Sequence, residues 1–410
     1  MKYFYILIIL LISNLTFAQS EHNWERTNPG GGGAFGTIGA GPTGIIVAGS
    51  DLSGAYISSN RGQSWTSIGS AHGLTTTHVS GIGFHPTKGN IFYLGTEDGI
   101  FRSTDAGKSV TQVLANGYIT DIKISPANPA IGYATYHPTY DSDQGKIYKT
   151  ADNGLRWKQI STNLPAGLRL LEIEVHPQDE DTLYVLSGAG RFECSAAEVY
   201  KSTDGGITWQ QIGTNLGEIM DIAIHPQSPE KIYLTTLNAD CNEPYYWTDL
   251  GGQFYSSNNG GSTWTSLANH TGVIWVKQDL PSTIRLIDPR EPYPWNSLSG
   301  TWESMDNGNT WQKIGEVEDW DYGYQGDAFW SYSSSFDGLV KTLGADLSDP
   351  DTLFWANSQW VYGTFDGGTI FNNLFTDEVR SGWWQSRGVD NIVMFDIAVS
   401  EANPDQIYAG

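Results

Sequence analysis

Aromatic residues crowd into a few polar stretches of this chain. Tyr136 and Tyr140 fall in one, Tyr245, Tyr246 and Trp247 in a second, and Tyr293 and Trp295 in a third. A fourth, 316–337, holds Trp320, Tyr322, Tyr324, Trp330 and Tyr332. Exposed rings stack on the apolar C–H faces of sugars, and interleaved Asp, Asn and Gln bond the hydroxyls. The pattern predicts a glycan platform with Tyr136, Trp247, Trp295, Trp320, Tyr322, Tyr324, Trp330 and Tyr332 as substrate-binding residues. The alternative is that the rings only pack their loops onto the body of the fold. The density of the set favours the glycan.

Other reactive side chains read more plainly. His85, His176 and His225 each precede a proline and recur as turn residues, which makes them structural rather than ligands or bases. Asp141-Ser-Asp143-Gln-Gly145 resembles a calcium loop faintly but lacks the distal bidentate Glu, so a solvated turn is expected. Glu316, Glu318, Asp319 and Asp321 form a charge run beside Trp320, read as a solvated loop. The two cysteines, Cys194 and Cys241, can pair in an oxidising compartment but do not make a metal site. No metal and no cofactor is expected.

A repeat must position these residues. Its pattern is S/T-x-D/N-x-G-x-x-(W/V). Copies begin at Ser58, Ser103, Thr150, Ser202, Ser257 and Ser304, and a degenerate one at Thr364. The spacing is roughly 45 to 60 residues, the size of a four-stranded propeller blade. In each copy the Asp or Asn accepts backbone N–H bonds, the Gly supplies a positive φ, and the aromatic packs between blades. These Asp boxes are turns and carry no chemistry.

Strands flank every box. Gly54–Ile57 and Glu198–Lys201 enter one, Thr66–Ile68 and Gln210–Ile212 leave one, and Asp221–His225 and Lys231–Thr235 precede one. The order is therefore 1-2-3-4 within a blade, with alternating direction. The 1–2 turns and the boxes share one face. The 2–3 turns and 4–1 connections share the other, which carries the long insertions and so reads as the binding face.

The fold class is all-β: a seven-bladed β-propeller with Asp-box repeats, read as the N-terminal one of two tandem propellers. Residues 1–18 read as a signal peptide, with a charged start, an apolar run and a small-residue cleavage site. Residues 19–387 make the propeller. Residues 388–410 begin a further blade or a second propeller, expected to lie beyond the C-terminus. Either they close the first blade, or they open that second ring, which the missing third strand favours. A signal peptide without a later apolar span implies a secreted protein, extracellular or at the cell surface, with no membrane partner. A net charge of −23 repels nucleic acid and anionic lipid but leaves a neutral polysaccharide unpenalised.

At this point the chain resembles the xyloglucan-active family-74 glycoside hydrolases, enzymes of two tandem seven-bladed propellers. The residues that carry the resemblance are Gly30–Phe35, Gly49-Ser-Asp51-Leu-Ser-Gly54-Ala-Tyr56, Leu339–Asp346, Val361–Asp366 and Gly388–Ile397. The family's first-blade motif is D-x-G-G-A-Y, with Ser53-Gly54 here in place of Gly-Gly. The resemblance implies inverting hydrolysis of xyloglucan-type β-glucan, with Asp51 as the catalytic general base. The family's general acid follows the segment matching Asp405–Gly410, just past this terminus. The alternative function is a non-catalytic extracellular propeller that binds glycan or protein. A sialidase would need an arginine cluster, which the acidic, Arg-poor composition argues against.

Overall fold

The computed structural model describes residues 34–409 apart from 116, 137–144, 161, 188–197, 214–215, 217, 238–251, 289–299, 317–318, 320, 322–342, 347, 357–359, 382, 390–396 and 400–406. Seven four-stranded antiparallel sheets follow one another, each made of four consecutive strands in the order 1-2-3-4. They are the blades of a seven-bladed β-propeller. Blade 1 spans 35–68, blade 2 spans 79–115, blade 3 spans 119–160 and blade 4 spans 170–212. Blades 5, 6 and 7 span 218–268, 273–315 and 343–373. Among the described residues no helix is long and apolar enough to cross a membrane.

Burial follows the strand's place in the blade. Second strands such as Ile46–Ser50, Phe92–Thr96 and Leu183–Ser187 are buried at every residue. Each is covered on both faces by its neighbours, so it reads as an apolar run without alternation. Fourth strands such as Lys158–Ile160 and Gln210–Ile212 lie on the rim and open with two polar, exposed residues, which discourages edge pairing, while their last isoleucine turns inward.

The boxes fold as their chemistry demands. Gly62 N donates to Ser58 Oγ at 2.8 Å and Ser64 N to Asn60 Oδ1 at 3.0 Å. In blade 4, Thr208 N and Oγ1 donate to the two oxygens of Asp204, holding its carboxyl down to about 2. The glycine is also required from outside its own turn. A Cβ on Gly154 would stand 2.1 Å from the ring of Tyr93, whose hydroxyl donates to Asn153 O at 2.7 Å. Tyr233 of blade 5 donates to the side-chain Oδ1 of Asn307 in the blade 6 box at 3.1 Å. A buried second-strand tyrosine thus pins the next blade's box.

The ring closes by side-chain packing between blades 7 and 1. Arg61 of the first box pairs with Asp346 at 3.1 Å and Asp349 at 3.2 Å. Trp65 Nε1 donates to Leu374 O at 2.9 Å. A hairpin of Thr376–Arg380 and Trp383–Ser386 follows, and Arg387 behind it donates to Asn373 O and pairs with Asp377. Ile397–Val399 pairs with Ile407–Ala409 and, among the described residues, joins no blade.

Candidate functional site

The turn between strands 2 and 3 of blade 1 carries Asp51. Ser50 N donates to Gly54 O at 2.8 Å, Ser53 Oγ to Ser50 Oγ at 2.9 Å, and Tyr56 Oη to Ser53 Oγ at 3.0 Å. Gly54 has φ +81°, and a Cβ there would stand 2.6 Å from Ile68 O. Only glycine suits that position. The turn also anchors what precedes the inner strand: Asp51 N donates to Ala34 O at 2.9 Å, and Ala34 N to Asp51 Oδ1 at 2.6 Å. One carboxylate oxygen is therefore fixed by backbone. Among the described residues Oδ2 takes no hydrogen bond, and Asp51 is half-buried. A carboxylate held by one oxygen and open at the other can accept a proton from water.

Asp51 and Tyr136 lie on the same face, at the ends of the second strands of blades 1 and 3. Tyr136 is half-buried, with the Lys146 ammonium 4.6 Å from its ring centre. Trp247, Trp295, Trp320, Tyr322, Tyr324, Trp330 and Tyr332 lie outside the described residues, as do both cysteines and Asp141 to Gln144. The three His-Pro histidines are turn caps. The backbone N–H two residues on donates to Nδ1 of His85, His176 and His225 at 3.2 Å each. That bond needs a neutral ring, and burial lowers all three pKa values. No group of metal-binding side chains occurs among the described residues.

Two arrangements lie on or beside the inner strands. His78 and Tyr118 stand just before the inner strands of blades 2 and 3, and His78 Nε2 lies 2.9 Å from Tyr118 Oη. They flank the channel mouth on the Asp51 face. The second arrangement is a charged channel wall. Each inner strand of blades 1 to 5 carries one extra residue near its start. Such a bulge re-aims the next side chain. In blades 3, 4 and 5 that next residue is Asp121, Glu172 and Asp221.

Asp121 Oδ2 accepts from Ile173 N of blade 4 at 3.1 Å, and Asp221 Oδ2 from Ile274 N of blade 6 at 2.7 Å. Each caps an inner-strand edge of the next blade. Lys123 Nζ sits 2.6 Å from Glu174 Oε1 and 4.0 Å from Asp121 Oδ2. Burial pulls the Lys123 ammonium down, but Glu174, Asp121 and Glu172 outweigh it and hold it well above its ordinary value. Burial raises all four carboxyls, and the Asp221 charge raises Glu172 further. Asp221 is pushed up to about 7.

A family model described as sortilin, neurotensin receptor 3, matches residues 98–219. A xyloglucanase of Hypocrea jecorina (strain QM6a) is 25% identical over 373 residues, covering 78% of this chain and 41% of that enzyme. An ancestral GH74 enzyme superposes with a TM-score of 0.69 at 19% identity, over 92% of this chain and 52% of its own. The Niastella koreensis GH74 enzyme gives 0.65 at 17% identity, over 91% and 57%. YCF48 bound to D1 peptide gives 0.54 at 13% identity, over 84% of this chain and 98% of its own.

The chain is similar in sequence to a xyloglucanase and shares its propeller fold with GH74 enzymes. The resemblance seen in the motifs is borne out. The chain spans 41% of the xyloglucanase and 52% of the ancestral enzyme.

Proposed function

We propose that this chain is the base-carrying propeller of a secreted, inverting glycoside hydrolase that acts on xyloglucan-type β-glucan. The observation that carries the reading is Asp51: its Oδ1 is fixed by Ala34 N, and among the described residues its Oδ2 takes no hydrogen bond on the face of the 2–3 turns. In the reaction, Asp51 takes a proton from water as the water oxygen bonds to the anomeric carbon. The bond to the glycosidic oxygen breaks from the opposite side, and an acid delivers a proton to that oxygen. The two carboxyls should stand roughly 6.5–9.5 Å apart, leaving room for the water. The acid belongs to a second propeller expected beyond residue 410, begun by 388–410, with 19–387 as the first ring and 1–18 as a signal peptide. Similarity to the H. jecorina xyloglucanase supports the substrate class. Tyr136 and the tryptophans and tyrosines of the insertions, from Trp247 to Tyr332, are the proposed sugar contacts.

The test is release of reducing ends from xyloglucan by the full-length protein. Asp51→Ala should abolish it while the protein stays folded; unchanged activity would refute the assignment. A second reading, a non-catalytic propeller that binds protein or glycan, draws on the similarity to YCF48, whose length the chain matches nearly throughout. An intact fold with no hydrolysis by the unaltered full-length protein would favour it.

A further inference from the structure

On the face opposite Asp51, the seam between blades 7 and 1 opens into a cavity of about 480 Å³. That falls within the roughly 300–1,000 Å³ of small-ligand clefts. Its wall includes Phe365, Gln63, Asn372, Arg61, Asp321 and Arg387. Phe365 occupies the second position of the seventh box. The same position holds Ser59, Thr104, Ala151, Thr203, Asn258 and Met305 in the other six. An aromatic ring stands there only in the box beside the cavity. One edge of it rests on Phe354, with ring centres 6.0 Å apart, yet Phe365 is 42% exposed. The turn itself needs no aromatic at this position, because Thr364 and Asp366 make its hydrogen bonds as in the other boxes.

The polar groups select the ligand. The guanidinium of Arg61 is already paired with Asp346 and Asp349, and that of Arg387 with Asp377. With Asp321 added, carboxylates outnumber guanidinium groups, so a phosphate or sulfate is repelled. The side-chain amides of Gln63 and Asn372 have no hydrogen-bond partner among the described residues. An amide both donates and accepts, as a sugar hydroxyl does. A stacking ring, unoccupied amides and neutralised guanidinium groups fit a neutral polyol.

We propose that this seam is a second glycan site, holding a neutral β-glucan segment on Phe365 with its hydroxyls on Asn372 and Gln63. The choice of glucan rests on the substrate class proposed above, whereas the site does not depend on Asp51 being a base. Lying away from the Asp51 face, it would anchor a polymer without taking part in its cleavage.

The experiment is affinity electrophoresis of the full-length protein in gels containing xyloglucan, with hydrolysis of a short soluble xyloglucan oligosaccharide measured alongside. Phe365→Ala should weaken retention about tenfold, the value of one good aromatic contact. Asn372→Ala, at a half-buried position of the same wall, should weaken retention in the same direction, and both variants should keep wild-type turnover of the oligosaccharide. Unchanged retention in both folded variants would overturn the proposal, as would displacement of the protein from the gel by inorganic phosphate. Because retention is read separately from turnover, a failed base assignment at Asp51 leaves this result interpretable.

Discussion

Replacing Lys123 by methionine keeps the length of the side chain but removes the cation that pairs with Glu174 and Asp121. Four carboxyls then lose that positive charge: Glu174, 2.6 Å from the lost ammonium, Asp121 at 4.0 Å, and Glu172 and Asp221, which interact with it electrostatically. Breaking a fully buried pair from one side costs about 3–5 kcal/mol. Here the Lys123 side chain is 36% exposed and that of Glu174 22%, so solvent screening cuts the figure to about 2 kcal/mol.

The cost must also depend on pH. A carboxyl whose folded pKa is raised binds a proton that the unfolded chain has released. Its contribution is therefore complete below about pH 4 and is lost as pH climbs through the folded value, about 7 for Asp221. At pH 8 Asp221 is ionised and at pH 5 it is protonated, and burial shifts the other three carboxyls in the same direction, so the penalty should be larger at pH 8 than at pH 5. Urea midpoints of wild type and Lys123→Met at pH 5 and pH 8 measure this directly. An equal loss at both values, or none at pH 8, would refute the reasoning.

Two other outcomes follow from the turns. Gly54→Ala forces a Cβ to 2.6 Å from Ile68 O at φ +81°, which should cost about 2–4 kcal/mol in thermal unfolding and reduce hydrolysis by displacing Asp51. In the fourth box, the Thr208 hydroxyl and N–H hold the Asp204 carboxyl down to about 2. Its stabilising contribution is present above about pH 4 and is lost as pH falls through about 2. Asp204→Asn should therefore flatten the acid limb of the stability curve between pH 4 and 2, as followed by circular dichroism.

The blades were legible because each one announces itself locally. The Ser58, Asn60 and Gly62 set makes its own hydrogen bonds within five residues, so spacing alone counts the ring. Strands such as Thr66–Ile68 and Gln210–Ile212 lie as read from the sequence. The place of Asp51 in a 2–3 turn followed from the same counting. The channel charges were not legible, because Ile119-Thr-Asp-Ile-Lys-Ile124 alternates like any half-exposed strand. Only the bulge and the curvature of the ring bring Lys123 onto Glu174, 51 residues away. The seam cavity joins Gln63 to Phe365 and Arg387 across ring closure, which no local pattern encodes. The hairpin at 376–386 has no box, so no repeat in the sequence marks it.

The central claim is that Asp51 activates the water that attacks the sugar. Azide needs no base, so it can take the water's place in the full-length Asp51→Ala variant, with the leaving oxygen still protonated by the acid. The account predicts that azide restores cleavage of the β-linked substrate and that proton NMR identifies the product as the α-glycosyl azide. A β-azide product, or full activity of Asp51→Ala in water alone, would contradict it.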